Sequence, residues 1–557
     1  MKRYNTGSLT GNRLILNRVV LVWFVVVLGI ASLNPLYTDE IVYEYMLGRF
    51  FRDGWGQFFM LPECSSFHRV VPLIWQIPRS LVSGLYHILP NLLSVRALGL
   101  VIGLANCFLV LHILRRLCPK ASQTSIALFA LSLTVGVSPF LMILMRPEGL
   151  LVFFGLGSIA LCQHMGLKRP RACAMSVCFT SALAASTHPL GVMELPIFLA
   201  CLWSLRLNTK LALPFCLLAI SYAVASVPLH DKWLRCDEIP SFSAFLQMYS
   251  GNSLSVNGLY EILIRLPNRI GNLFHFFGEA LIPAPGYLSG IVPLQIWSKT
   301  VNYIEVGRSL IVGWITAFLT LFILSLRRFV RYGYHRNLLM SFEGSICLSI
   351  LLTISALVLT QPIISPYRFT FIIPYLVLAS GIMGLTSLEN EHPRLFAIST
   401  GGMSFFACAS CVLSLLSFIP PIVMKIDRVA SEDQPHSTNH LATLHPGNVY
   451  DIAAQCKIES APPFHRMFVD EHTYWLFRDS SEPVFFTYYG FGKAIEPLLT
   501  PEVWQKVVAA DAQGLVIHCD SARRWVPNTQ MRKIGELCCL NRADLELLRG
   551  QKLGKVE

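Results

Sequence analysis

Ile15-Leu16-Asn17-Arg18-Val19-Val20-Leu21-Val22-Trp23-Phe24-Val25-Val26-Val27-Leu28-Gly29-Ile30-Ala31-Ser32-Leu33-Asn34 runs directly into Pro35-Leu36-Tyr37-Thr38-Asp39-Glu40-Ile41-Val42-Tyr43-Glu44. The first stretch has the roughly 20 mostly apolar residues that a helix needs to cross a bilayer. It carries no small-residue cleavage site, so it reads as a retained span rather than a removed signal peptide. The second stretch puts the acidic pair Asp39-Glu40 just past that span. Two carboxylates at a membrane edge are costly unless they are solvated, paired or used.

Composition extends this reading to most of the chain. Of 557 residues 54% are hydrophobic and only 14% charged, and the mean hydropathy is +0.53. A soluble domain carries about 25% charge, so the chain reads as a polytopic α-helical membrane protein. Apolar runs place about eleven spans, near 15-34, 92-114, 123-143, 149-166, 173-188, 190-205, 211-229, 309-326, 342-361, 370-387 and 396-419. The net charge of +12 reads as loop Lys and Arg, not as a nucleic-acid footprint, because no basic stripe with interleaved aromatics is present. The 16 cysteines form no CxxC or other zinc spacing, and most lie in apolar runs as small hydrophobes.

The Lys/Arg bias of short loops orients the chain. Lys2, Arg3, Arg13 and Arg18 put the N-terminus in the cytoplasm. Alternation then puts Arg115-Arg116 with Lys120, Lys168-Arg169 with Arg171, Arg206 with Lys210, and Arg327-Arg328 with Arg331 on the same side. The loop near 388-395 fits poorly, with Arg394 beside Glu389 and Glu391. An odd span count sends the C-terminus outside. The expected organisation is a transmembrane module over 1-420, with exterior loops near 35-90 and 230-308, and an exterior α/β domain over 421-557. In that tail Pro483-Val484-Phe485-Phe486-Thr487-Tyr488-Tyr489 and Gly514-Leu515-Val516-Ile517-His518 read as strands. Thr500-Pro501 reads as a helix start. Cys456, Cys519, Cys538 and Cys539 allow one disulfide in an oxidising compartment, with its connectivity open.

Under this topology five polar features fall on the exterior boundary, each at the end of a different span. They are Asp39-Glu40, Arg146-Pro147-Glu148, Thr187-His188-Pro189, His230-Asp231 and Tyr367-Arg368. Taken singly each also reads as boundary chemistry: a solvated loop start, an ion pair closing a turn, a turn signal or an interfacial anchor. His230-Asp231 reads as plain loop. Gathered on one face, the others describe a catalyst or a transporter gate.

The layout resembles the GT-C superfamily of integral-membrane glycosyltransferases. Asp39-Glu40-Ile41-Val42-Tyr43 looks like the Asp-Glu-x-x-Tyr motif of its polyprenyl-phosphate-dependent members, among them protein O-mannosyltransferases and lipid A aminoarabinose transferases. Arg146-Pro147-Glu148 is similar to the Arg-Pro-Glu or Arg-Pro-Asp of bacterial members, including mycobacterial arabinosyltransferases. Thr187-His188-Pro189-Leu190-Gly191 looks like the group's His-Pro motif. Ser365-Pro366-Tyr367-Arg368 with Pro374-Tyr375 resembles the Arg-Tyr-to-Pro pattern before a late span, with Arg and Tyr reversed here. The resemblance covers roughly 1-420, and the tail matches no module.

This resemblance implies transfer of a sugar from a polyprenyl-phosphate carrier to a glycan, lipid or protein acceptor outside the cytoplasmic (inner) membrane. It implies Asp39 as base for an inverting transfer, with Glu40 assisting or exchanging roles with it. Arg368 and then Arg146 suit the phosphate, since a planar guanidinium holds two phosphate oxygens. His188 and Tyr367 sit in the donor-binding motifs, and Glu148 positions Arg146 or meets the sugar. Some branches use a divalent cation and some do not. One acidic pair plus a distant Glu148 falls short of a cation's ligand count, so no obligatory metal is expected. Arg49-Phe50-Phe51-Arg52-Asp53-Gly54-Trp55-Gly56-Gln57-Phe58-Phe59 is amphipathic enough to lie in the membrane interface, as a lipid contact or a simple anchor. The competing readings are a lipid-linked glycan transporter or flippase, an O-antigen ligase or polymerase, and a membrane scaffold. The first would show repeat halves and mid-span charges, and the second a large arginine- and histidine-bearing loop between late spans.

Overall fold

The computed structural model describes residues 6–32, 92–144, 146–166, 168–187, 189–205, 209–233, 303–336, 341–360, 369–430, 448–458, 464–469, 473, 477, 481–485, 513–519, 522, 530–535 and 537–550. Among these, five helices are long and apolar enough to cross a membrane: Arg96–Leu117, Pro147–Met165, Val306–Arg331, Thr370–Leu388 and Pro393–Leu416. The expected spans 92-114, 149-166, 309-326, 370-387 and 396-419 fall on them. The described parts of the chain's first 430 residues are mostly helical. The helices are α1 (Thr6–Ser32), α2 (Leu92–Leu117), α3 (Gln123–Leu131), α4 (Ser138–Ile143), α5 (Pro147–Met165) and α6 (Pro170–Thr187). They continue as α7 (Leu195–Ser204), α8 (Thr209–Trp233), α9 (Tyr303–Arg336), α10 (Phe342–Thr360), α11 (Phe369–Met383) and α12 (Pro393–Ala430).

These helices are apolar on both faces. In α1, Val20, Phe24, Val27, Leu28 and Ala31 are buried at helical spacing, while Val19, Val22, Val25 and Val26 are exposed. On α6, Cys173, Ala174 and Val177 are buried and Met175 and Phe179 are exposed. Exposed apolar side chains on helix after helix describe a surface for lipid, not water. The inner faces share one apolar core that runs through α1, α2, α5, α7, α9, α10, α11 and α12. The buried cysteines belong to it: Cys107, Cys162, Cys173, Cys201, Cys347 and Cys411 pack there as small hydrophobes.

Three stretches differ from the sequence expectation. The run 123-143 is not one span. It breaks after α3 into a 3-10 turn (Ser132–Thr134), a left-handed Gly136 with φ 55°, and then α4 with Pro139 in its first turn. A glycine carries that φ without steric penalty. Its backbone N–H donates to Ser410 Oγ at 3.0 Å, and Ser138 Oγ donates to Leu133 O at 2.7 Å. Irregular backbone survives at membrane depth only where protein surrounds it, and this stretch is buried throughout. The run 190-205 opens as a 3-10 turn, Pro189–Glu194, before α7. Residues His230 and Asp231, read as loop, lie within α8.

The poorly fitting loop at 388-395 has a local explanation. Glu389 Oε1 accepts from Ser122 N at 3.2 Å and from Ser125 Oγ at 2.7 Å, so it caps the start of α3. Arg328 donates to Glu391 Oε2 at 2.6 Å and to His392 Nε2 at 2.8 Å. These acids serve the neighbouring Arg328 and a helix end, and both contacts sit at the Arg115-Arg116 end of the bundle. The exterior loop expected at 35-90, residues 234-302 of the one expected at 230-308, and the helix start at Thr500 lie outside the described residues; the ends of the second loop, 230-233 and 303-308, are helical, in α8 and α9.

The tail contains α13 (Asn448–Gln455), α14 (Arg542–Gly550) and a five-stranded sheet. Its strands are β1 (Phe464–Val469), β2 (Ser481–Phe485), β3 (Gly514–His518), β4 (Arg532–Ile534) and β5 (Leu537–Asn541), in the order β2-β1-β3-β5-β4. β1 pairs in parallel with β2 and β3, and β5 runs antiparallel between β3 and β4. Strand β3 falls on the expected 514-518, and β2 starts two residues before the expected 483. Buried Met467, Phe468, Leu515, Val516 and Ile517 give the sheet its own core. Two disulfides close it, Cys456–Cys539 and Cys519–Cys538, where the sequence reading allowed for one.

Removing the Cys519–Cys538 bond by a double alanine substitution opens a loop of 19 residues. The expected cost is about 3 kcal/mol of the tail's stability. Thermal unfolding of the purified protein, with and without reductant, measures it; an unfolding midpoint equal to wild type would contradict it.

Candidate functional site

The Arg146-Pro147-Glu148 triplet forms the start of α5. Arg146 has extended backbone (φ −126°, ψ 154°), and Pro147 occupies the first helical position, where its missing N–H costs nothing. Glu148 stands in the first turn, where the helix dipole favours a carboxylate. Arg146 Nε donates to Glu148 Oε2 at 3.2 Å and Nη2 to Oε1 at 3.4 Å, a two-pronged grip. Both side chains are buried, 8% and 1% exposed. An ion pair withdrawn this far from water is retained only where geometry and further contacts offset desolvation. Leu98, Ile102, Met142 and Leu144 pack closely around Arg146.

Other elements converge on this end of the bundle. Asn106 Nδ2 donates to Gly149 O at 2.8 Å, tying α2 to the first turn of α5. Thr370 Oγ1 donates to Leu141 O at 2.9 Å, tying the first turn of α11 to α4. Arg96, fully buried, donates to Ala31 O at 3.3 Å and Ser32 O at 3.5 Å. Its guanidinium carbon lies 4.9 Å from the centre of the Phe140 ring. It thereby satisfies carbonyls that the end of α1 leaves without helical partners. Helix α6 runs antiparallel to α5: Ser158 Oγ and Thr180 Oγ1 lie 2.7 Å apart, and Cys173 Sγ and Cys162 Sγ 3.7 Å apart. That register brings Thr187, the last residue of α6, level with the first turns of α5.

Of the residues singled out in the sequence, the structure therefore joins Arg146 to Glu148. Asp39, Glu40, His188, Tyr367 and Arg368 lie outside the described residues. Their described chain neighbours are Ser32 at the end of α1, Thr187 at the end of α6, and Phe369 at the start of α11. Among the described residues no group of three His, Cys, Asp or Glu gathers to hold a metal ion.

Sequence reading gave no role of their own to three buried polar residues, of which Tyr375 entered only as part of the Pro374-Tyr375 motif. Arg96 lies four residues inside an apolar run, Glu194 lies within the run 190-205, and Tyr375 lies within 370-387. The signal was present for two of them, because an ionisable residue inside a span is a functional candidate by default. Tyr375 O–H donates to Glu194 Oε1, and both residues are fully buried.

No protein-family model matches the chain, and no curated protein matches it. Among solved structures, the crystal structure of ArnT from Cupriavidus metallidurans in the apo state aligns over 98% of this chain and 100% of that one. The identity is 14% and the TM-score 0.48. A likeness of that size leaves any activity to be argued from the residues themselves.

The ion pair is open to a direct test. Glu148→Gln strands the buried Arg146 charge and costs about 3–5 kcal/mol, and Arg146→Met strands the carboxylate at a similar cost. The double variant is expected to be no less stable than either single one. Thermal unfolding in detergent measures all three; simple addition of the two losses would contradict a coupled pair.

Proposed function

We propose that the chain is a GT-C-type membrane glycosyltransferase. It moves a sugar from a polyprenyl-phosphate carrier to a cell-envelope acceptor on the outer face of the cytoplasmic membrane. The observation that carries this reading is the buried Arg146–Glu148 pair. It stands at the end of the bundle where the chain leaves α1 toward Asp39-Glu40, leaves α6 toward His188, and passes from Tyr367-Arg368 into α11. The described helix ends that adjoin these four sequence features stand at one end of one bundle, which supports the reading.

The chemistry follows from the residue types. Asp39, or Glu40 in its place, takes the proton of the acceptor hydroxyl as that oxygen attacks the anomeric carbon, and the lipid phosphate leaves with the bonding electrons. The leaving phosphate is anionic throughout, so it needs fixed positive charge more than it needs a proton. Arg368 is the first phosphate ligand, because Glu148 already neutralises much of Arg146. Arg146 lies second, held in place by that carboxylate. His188 and Tyr367 offer hydrogen bonds to phosphate or sugar. In this reading the N-terminus is cytoplasmic and the sheet-bearing tail periplasmic. Its two disulfides fit an oxidising compartment.

Proteoliposomes loaded with a polyprenyl-phosphate sugar and an acceptor test the proposal. Wild type transfers the sugar, and Asp39→Asn with Glu40→Gln lowers kcat by at least about 100-fold. Transfer by that double variant at the wild-type rate would remove both carboxylates from the role of base.

A further inference from the structure

The buried Glu194–Tyr375 hydrogen bond has no part in the mechanism above. It stands where three elements meet. Glu194 ends the 3-10 turn that begins at Pro189, six residues after His188. Tyr375 lies in α11, seven residues after Arg368. Both abut Gly155 of α5, nine residues after Arg146. That distance is about 13 Å along the helix from the ion pair. A Cβ built on Gly155 would collide with Tyr375 Oη and come within 3.1 Å of Glu194 Oε1, so only glycine lets the three elements close.

The polar character of this contact is itself informative. Among the described residues, Glu194 Oε2 has no hydrogen-bond partner. Two apolar side chains of similar size would hold these elements together without desolvating a carboxyl group. A hydrogen bond has what they lack, a single direction and length. It fixes the rotation of α11 against the 3-10 turn, and Gly155 fixes the depth of both against α5.

Resting on the glycosyl-transfer reading, we infer that Glu194 and Tyr375 are positioning residues. Their bond, seated on Gly155, sets the segments carrying His188 and Arg368 at a fixed distance from Arg146–Glu148. Neither residue touches the substrate. The bond acts by holding the phosphate-binding groups to one donor geometry.

The test uses full-length protein in proteoliposomes with a polyprenyl-phosphate sugar, and compares Tyr375→Phe, Glu194→Gln, Glu194→Leu and the Tyr375→Phe/Glu194→Leu pair. Misplacement of reacting groups by about 1 Å costs on the order of 100-fold in rate. Tyr375→Phe is therefore expected to lower kcat by roughly 10- to 100-fold, with KM for the donor within about threefold of wild type. Glu194→Gln keeps an oxygen that accepts from Tyr375 and retains most activity. The apolar pair regains the thermal stability that Glu194→Leu alone loses, because no orphaned hydroxyl remains, yet its kcat stays low. A kcat that recovers together with stability in the pair would reduce the contact to ordinary packing and overturn the inference. So would a wild-type kcat for Tyr375→Phe, or a Glu194→Gln variant as inactive as Glu194→Leu, which would assign Glu194 a proton or charge role instead.

Amide hydrogen exchange reads the joint without substrate. Tyr375→Phe is expected to raise exchange together at 189–194 and 369–374, with α2 unchanged; a rise at neither segment or only one overturns the joint. Wild-type protein that transfers no sugar, with exchange coupled in this way, would sink the glycosyltransferase reading while leaving the joint in place.

Discussion

Two opposite charges buried in an apolar bundle set the terms for everything around them. Arg146 and Glu148 are separated by one proline, which forces the arginine into extended backbone and lets the helix begin at once. Their short spacing lets them pair without the long side-chain reach that makes surface ion pairs weak. Their burial makes the pair costly to break and costly to misplace. The neighbouring backbone is correspondingly tied down: Gly149 O accepts from Asn106, and Leu141 O accepts from Thr370.

That network gives one end of the bundle a different physics from the other. At the Arg115-Arg116 end the polar contacts are part-exposed, as in the Arg328–Glu391 pair, whose side chains are 34% and 29% exposed. At the Arg146 end they are buried: Arg96 on the end of α1 and Arg146 on Glu148. Charges in water tolerate small displacements, whereas charges in a low dielectric do not. A site that must hold a lipid phosphate beside a base requires the second kind of surroundings.

Much of the helical framework was legible because a span leaves a length signal that no other element imitates. The runs 92-114 and 149-166 needed only that signal. The run 123-143 is apolar too, yet it breaks at Gly136 and Pro139, and its freed backbone groups are met by Ser410 and by its own Ser138. Those partners are distant or local in ways that apolar counting does not see. In the candidate site, the Arg146–Glu148 pairing was readable because two residues of separation suffice for contact. The Arg96 contact with α1 joins residues 64 and 65 apart, and the Glu194–Tyr375 bond joins residues 181 apart. One chain carries no sign of such partners except the anomaly of a charge in an apolar run. In the tail, β3 was plain from its unbroken Leu-Val-Ile core. The pairing of Cys519 with Cys538 depends on β3–β5 register, and that of Cys456 with Cys539 on how α13 packs against β5; spacing alone fixes neither.

The central claim is that the end of the bundle marked by Arg146–Glu148 is where a lipid phosphate is held for sugar transfer. The most direct measurement is an electron cryomicroscopy structure of the protein in nanodiscs with a polyprenyl-phosphate sugar bound. The account predicts the phosphate at the start of α5 and α11, within hydrogen-bond reach of Arg368 or Arg146, and the anomeric carbon turned toward Asp39-Glu40. A donor seated at the Arg115-Arg116 end, or against a face remote from α5 and α11, would contradict it.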